Sequence, residues 1–419
     1  MLDRTIAPPA VTSATFQLPS VRKTLLPSGL AIHHLGDVRQ AIAQIEVVFN
    51  AGRWYEQKPE TSYFTTKMLE KGTTAKNALQ LASLFDFYGA HMETSSNFDF
   101  VSVSLYTLSK HLAALLPTFC EVISSPSFDP QELSQLKDTF LQHLHIQNEK
   151  TSYRASNLIR EKVFGAGHPY GGSPSAAAVK NITPEDLHIF FKTKMSPAHI
   201  FILGDVSSKD ITGVEDFFGG LAVAKQPPVS FNAGEHGPSF ELAPRETSVQ
   251  SSIRLGKKAI LRMHPHYPGL LMLNYILGGY FGSRLMKNIR EEKGLTYGIS
   301  SSVHSLCHES SLLIGAEVNK ENRELVSREI KTELNKLRVS VIAQQELDSA
   351  RQHFIGGLQM ETDSPFSVLG KIKNTILHDL PSDYYQSLIH SINRLSPDDL
   401  HETANIYLDE SSFSEVIVG

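Results

Sequence analysis

The chain has 419 residues, 41% of them hydrophobic and 20% charged, with 39 Lys plus Arg against 44 Asp plus Glu for a formal net charge of −5. This globular composition excludes a disordered or low-complexity chain and leaves ample length for more than one core. The weak acidic balance argues against a nucleic-acid binder, and no run of about 18 apolar residues marks a membrane-spanning helix.

The opening MLDRTIAPPAV lacks a basic segment followed by an apolar one. That reads as a cytoplasmic chain, or a periplasmic one if a leader has been removed. Leu30–Leu35 and Ala43–Asn50 read as strands, and Pro59–Leu69 and Ala78–Tyr88 as helices with Gly89 as a C-cap. Phe98–Tyr106 alternates like a strand. Asp129–Pro130 opens a long helix, with Pro at its first turn. His199–Val206 reads as a closing strand. Residues 219–238 hold GG, PP and an Asn-Ala-Gly turn and read as a connector. Beyond it, Gly269–Arg290 reads as one helix stopped by Gly294. Tyr297–Val303 and Ser311–Val318 read as strands; Glu324–Leu337, Gln344–Leu358 and Asp383–Ile392 read as helices. Strands and helices come in blocks, which predicts an α+β fold with mainly antiparallel sheets and helices packed on one face.

The chain also repeats itself. ITPEDLHIFF at Ile182–Phe191 resembles LSPDDLHETA at Leu395–Ala404, placing Leu187 and Leu400 213 positions apart. Gln131-Glu132-Leu133 returns as Gln345-Glu346-Leu347, an offset of 214, and FILGDV and EVIVG place Gly204 and Gly419 215 apart. Three anchors in one order at nearly one offset predict two homologous domains: 1–218 and 241–419, joined by a linker at 219–240.

Common catalytic signatures are missing: there is no GxSxG, no phosphate-binding GxxxxGK[ST] and no GxGxxG opening a helix. The two cysteines, Cys120 and Cys307, form no Cys-x-x-Cys site. The His143/His145 and His264/His266 pairs read as surface histidines, since alternate helical residues diverge. His304, Cys307 and His308 read as strand and loop residues rather than as a zinc site.

Two segments carry more: AGRWYEQKPETSYFTTKMLEKGT at Ala51–Thr73 and GGYFGSRLMKNIREEKGLTYG at Gly278–Gly298. With LPSGLAIHHL, SPSFDPQEL and FGAGHPYG, they make the chain resemble the pitrilysin/insulinase family of zinc peptidases, in particular short-chain members related to mitochondrial processing peptidase. The resemblance covers nearly the whole chain and implies two similar α+β domains forming half of a clamshell. Active members carry H-x-x-E-H on the first helix, where the His pair holds Zn²⁺ and the Glu is the general base. Here the first His position is Tyr63, the Glu position Thr66 and the second His position Lys67. The distal Glu position, 76 residues further on, is His143. Lysine at a ligand position repels a dication and offers no lone pair. The resemblance therefore implies no zinc bound by this chain.

The family also uses an Arg and a Tyr seven residues apart, which bind the substrate carbonyl and its oxyanion. Arg290 and Tyr297 stand at that spacing, and both are hydrogen-bond donors suited to developing negative charge. The resemblance thus implies a non-catalytic subunit of a heterodimeric zinc metallopeptidase. Zinc would lie in a homologous partner with intact H-x-x-E-H, peptide or unfolded polypeptide would be the substrate, and Arg290 and Tyr297 would act in trans. The alternatives are an inert structural or assembly subunit and a peptide-binding homodimer. The family also adds peptide to a sheet edge at the region matching Gly89–Phe100; Glu93–Thr94 here replace its Asn-Ala.

Overall fold

The computed structural model describes residues 16–36, 38, 40–221, 229, 231, 237–246 and 248–419. The opening residues 1–15 and most of the expected connector, 222–228, 230 and 232–236, lie outside the described residues.

Two sheets organise the chain. The first is ordered β1-β2-β6-β3-β5-β4, from β1 (Arg22–Leu25), β2 (Ala31–Leu35), β3 (Ile42–Phe49), β4 (His91–Ser96), β5 (Val101–Leu108) and β6 (Pro197–Gly204). The second is ordered β7-β11-β8-β10-β9, from β7 (Phe240–Ala243), β8 (Gln250–Ala259), β9 (Thr296–Ser305), β10 (Ser310–Asn319) and β11 (Ser414–Val418). Setting aside β1, the two orders superimpose strand for strand. Each sheet has one parallel pair, β2 with β6 and β7 with β11, and is otherwise antiparallel. The repeat seen in the sequence is a repeat of topology.

Helices follow the same duplication. The first unit has α1 (Thr61–Met68), α2 (Ala78–Phe87), α3 (Leu112–Ser124), α4 (Pro130–Asn148), α5 (Thr151–Phe164), α6 (Ala176–Lys180), α7 (Pro184–Lys194) and α8 (Ser208–Gly219). The second has α9 (Tyr267–Asn274), α10 (Arg323–Val339), α11 (Gln344–Met360), α12 (Pro365–Leu377), α13 (Tyr384–Arg394) and α14 (Pro397–Tyr407). The paired ITPEDL and LSPDDL segments are the starts of α7 and α14. Each is a reciprocal capping box, Thr183 with Asp186 and Ser396 with Asp399. Asp129 caps α4 by accepting from the N–H groups of Gln131 and Glu132. Gly89, at φ +59, ends α2.

Local chemistry moves some boundaries. Phe98–Tyr106 is shifted to β5 because Asn97 folds a turn, its side chain accepting from the N–H groups of Asp99 and Phe100. The expected helix over Gly269–Arg290 is broken. α9 runs into a widened turn at Tyr275–Gly279, Tyr280 is extended, and a second widened segment covers Met286–Glu292. Gly278 leaves helical geometry where the chain presses on β9; a Cβ there would lie 2.7 Å from the Ser301 nitrogen. Gly294, at φ +62, does end the segment, and the Leu295 N–H returns to the Ile289 carbonyl at 2.9 Å.

Each unit's own helices cover one face of its sheet; the other face is covered by the opposite unit. Along β11, Ile417 points into the second unit's helical core, while Val416 and Val418 face α5 of the first unit together with Ala155, Ile159 and Val163. Gly256 on β8 permits this, because a Cβ there would lie 2.8 Å from Ile159. Reciprocally, Ile45, Val47 and Phe49 face the first unit's own helices, while Val48, Phe201 and Leu203 meet Leu369 and Ile372 of α12. α5 and α12 begin at Thr151 and Pro365, 214 positions apart and so at the repeat offset. A polar seam joins the units nearby. The buried Asp99 carboxylate accepts from the Tyr170 hydroxyl and from the Cys307 N–H at 3.1 Å, and the Trp54 ring stacks on His308 at 4.0 Å.

One ion pair crosses between α12 and the first sheet. Lys373 Nζ lies 2.8 and 3.0 Å from the carboxylate oxygens of Glu46, whose side chain is 5% exposed. Lys373→Met leaves that carboxylate unpaired and should cost about 3–5 kcal/mol in urea unfolding. Adding Glu46→Gln to it should recover most of the loss, whereas an equally unstable double variant would show that the ion pair does not matter.

Candidate functional site

α1 carries the positions where the resemblance puts a zinc motif. It lies beside β4, the outermost strand of the first sheet. α1 has no side-chain cap of its own. Glu56 serves instead, accepting from the N–H groups of Glu60 and Ser62 at 3.1 and 2.8 Å. Glu60 stands at φ 71, and Ser62 Oγ donates to the Ala51 carbonyl at 2.7 Å.

Each of the four motif positions is engaged by its own neighbours. Tyr63 packs on Phe64 and Phe140, with ring centroids 5.3 and 5.0 Å away. The hydroxyl of fully buried Thr66 donates to the Ser62 carbonyl at 2.7 Å. Lys67 Nζ donates to the Thr94 carbonyl at 2.8 Å and pairs with Glu70 at 3.3 Å. Glu70 accepts from the Thr94 N–H at 3.1 Å and from its hydroxyl. His143 is exposed on α4 beside Gln147, at 3.1 Å. A packed phenol, a spent hydroxyl, an ammonium and a surface imidazole do not fit a zinc ion. Among the described residues, no group of three or more His, Cys, Asp or Glu is placed to hold a metal.

The other histidine and cysteine clusters have structural partners. His304 meets the Ser302 hydroxyl at 2.8 Å, and His308 stacks on Trp54. Cys307 Sγ lies 3.6 Å from His378 Nδ1. Burial pushes the Cys307 thiol well up and the His378 imidazole down to about 4, so the two face each other uncharged. His266 Nδ1 lies 3.1 Å from the Tyr407 hydroxyl.

Arg290 and Tyr297 are displayed differently. Arg290 lies on the widened segment Met286–Glu292, its guanidinium over the Phe281 ring at 4.8 Å from the centroid. It enters none of the salt bridges among the described residues. Tyr297 is the second residue of β9 and is 94% exposed. The segment itself is anchored. Asn288 Nδ2 donates to Glu333 at 2.7 Å and to Glu329 at 3.1 Å, and Arg284 binds Glu346 with two 2.8 Å contacts. Gly298, beside Tyr297, lines a pocket of ≈540 Å³ between the units, with Phe98 and Arg160 on one wall and Ser300 and Ser302 on the other.

Comparison with known proteins identifies the family and the fold. Residues 36–168 match the family model described as Insulinase (Peptidase family M16), and residues 181–354 match the one described as Peptidase M16 inactive domain. The chain belongs to peptidase family M16. Similar relatives of this M16 chain include an uncharacterized zinc protease, YmxG, of Bacillus subtilis, 25% identical over 75% of this chain and 78% of that one. An uncharacterized zinc protease of Rickettsia bellii is 24% identical over 89% and 91%. Among solved structures, a peptidase M16 inactive domain from Pseudomonas fluorescens superimposes with a TM-score of 0.86 at 24% identity, covering 95% of this chain and 98% of that one. A protease from Helicobacter pylori gives 0.81 at 20%, covering 96% and 100%. These structures share the fold.

Sequence reasoning missed Glu70 and Thr94 as partners of Lys67. Lys67 and Glu70 three apart on a helix signal a local ion pair, but nothing in that spacing points to a strand edge. Glu56 was missed as well. Burial, the largest cause, pushes its carboxyl up to about 8 against the two N–H donors and Arg53. The folded chain therefore keeps this proton to higher pH than the unfolded chain does. Stability should fall as pH rises from about 4.5 toward 8, on the order of a few kcal/mol in all. In urea unfolding, Glu56→Gln should flatten that slope; an unchanged slope would assign it to other groups.

Proposed function

We propose that this M16 chain is the non-catalytic subunit of a heterodimeric zinc peptidase. The observation that carries the reading is a contrast within one molecule. The zinc-motif positions are filled by Tyr63, Thr66, Lys67 and His143, while Arg290 on an anchored segment and Tyr297 near the start of β9 keep the family's spacing. Zinc and its general base then belong to a homologous partner with intact H-x-x-E-H. The substrate is an extended peptide or unfolded polypeptide. The Arg290 guanidinium and Tyr297 hydroxyl donate to its scissile carbonyl as negative charge develops, which lowers the barrier without any proton leaving this chain.

An inert structural or assembly subunit is the second reading. It is favoured by the Lys67–Glu70 pair, which uses the former motif helix for internal contacts only.

The test mixes this chain with the H-x-x-E-H-bearing relative of the same genome, zinc-loaded, and measures peptide cleavage. Activity should require both chains. Arg290→Ala and Tyr297→Phe should each lower kcat by roughly 10²–10³-fold without disturbing complex formation. A partner that cuts equally well alone, or variants matching wild type, would leave the structural reading standing.

A further inference from the structure

A sheet edge is a row of unpaired N–H and C=O groups, and an extended peptide binds such an edge by adding a strand. β4 is the outer edge of the first sheet. Its residue Thr94 sits opposite Val103 on β5. The Thr94 N–H and C=O point away from β5, toward Glu70 and Lys67. These are the two groups that a residue of an added strand would engage.

We propose that Lys67 and Glu70 form an intramolecular latch that closes the β4 edge to strand addition, so that the first unit takes no extended peptide there. This goes beyond the assignment of Arg290 and Tyr297 and does not depend on it. The latch is a closed ring of contacts. Lys67 Nζ reaches the Thr94 carbonyl at 2.8 Å, the Thr94 hydroxyl at 3.2 Å and Glu70 Oε1 at 3.3 Å; the same carboxylate oxygen accepts from the Thr94 N–H at 3.1 Å and from its hydroxyl. Charge-assisted bonds of this kind are the strong ones. Thr94 is only 2% exposed. Two residues along the same edge, the Ser96 hydroxyl is held by Ser62 of α1 at 2.8 Å.

The second sheet closes its edge at the equivalent point. In the first sheet, the lateral row through Thr94 runs Val103, Val47, Ile200. In the second, the row through Ser301 on the edge strand β9 runs Ile314, Leu255, Glu415. Ile200 and Glu415 lie 215 apart, the offset of Gly204 and Gly419. At Ser301 the outward carbonyl accepts from Asn274 Nδ2 at 3.3 Å, and Ser301 Oγ donates to Asn274 Oδ1 at 2.7 Å. In the second unit α9 supplies the side chain; in the first, α1 supplies Lys67 and the turn that continues it, Leu69–Lys71, supplies Glu70. The solutions differ in one respect. Asn274 and Ser301 are buried, whereas Lys67 and Glu70 are about one-third exposed and can be changed without opening the core.

The test uses the isolated full chain and a fluorescein-labelled peptide of alternating threonine and valine with a lysine at each end. Fluorescence anisotropy should show no saturable binding to wild type. The double variant Lys67→Leu/Glu70→Ala should bind it at least ~10-fold more tightly, and an N-methylated version of the peptide should not bind. Wild type binding as tightly as the variant, or a folded variant that stays blind to the peptide, overturns the proposal. Amide hydrogen exchange on wild type decides the matter even if the variant fails to fold. The Thr94 amide should exchange at least ~10-fold more slowly than that of Met92 on the same edge; equal rates overturn the latch. Because no partner chain is present, neither result bears on whether Arg290 and Tyr297 act in trans.

Discussion

The exchange of α5 and α12 is the constraint on which the rest of the molecule depends. A sheet with helices on one side leaves its second face to water or to a neighbour. Here each second face is apolar and each is covered by a helix from the other half. Neither half has a complete core alone, so the halves must meet in one orientation. That orientation also fixes the pocket between Arg160 and β9 and the side of the molecule on which Tyr297 stands. The duplication is thus more than a record of descent. Each copy supplies the layer that the other lacks.

Among the described residues, α1 takes part in no group placed to hold a metal. Its apolar residues Phe64 and Met68 still anchor it among Phe128, Leu133 and Leu187. The positions that would face a metal in active relatives now face inward to Phe140, back to the Ser62 carbonyl, or across to β4. An ammonium is a cation that brings its own tether, and Lys67 places it against carbonyl and carboxylate oxygens without any ligand set. The second unit's Arg290 segment shows the contrary economy. Its anchors, Asn288 and Arg284, are tied down, while Tyr297 is left outside and Arg290 is half-buried over Phe281.

Much of this was legible in the sequence because it rests on short-range chemistry. The Asp129 cap and the Gly89 and Gly294 stops are local features, and the repeat was exposed by three other short anchors, Leu187 with Leu400, Glu132 with Glu346 and Gly204 with Gly419. What was not legible is long-range. Nothing in Thr151–Phe164 or Pro365–Leu377 says that the apolar stripe of either helix serves the opposite sheet. The break within Gly269–Arg290 arises because Gly278 lies against Ser301, a contact invisible in one dimension. β4, with its HMETSS sequence, has too few branched or aromatic residues to read as a strand. It is a strand because β5 offers it a template and Lys67 and Glu70 hold its outer side.

The seam around Asp99 has a mechanical consequence. Its carboxylate is buried, and its two oxygens are held by groups from separate parts of the chain: the Tyr170 hydroxyl from the first unit and the Cys307 N–H from the second. Any sliding of one unit past the other would strand that charge away from water before new contacts formed, and a buried unpaired charge is among the costliest states a fold can visit. The seam therefore opposes sliding of one unit past the other. On the proposed reading, an opening that admits polypeptide would fall at the contact with the partner rather than at this seam.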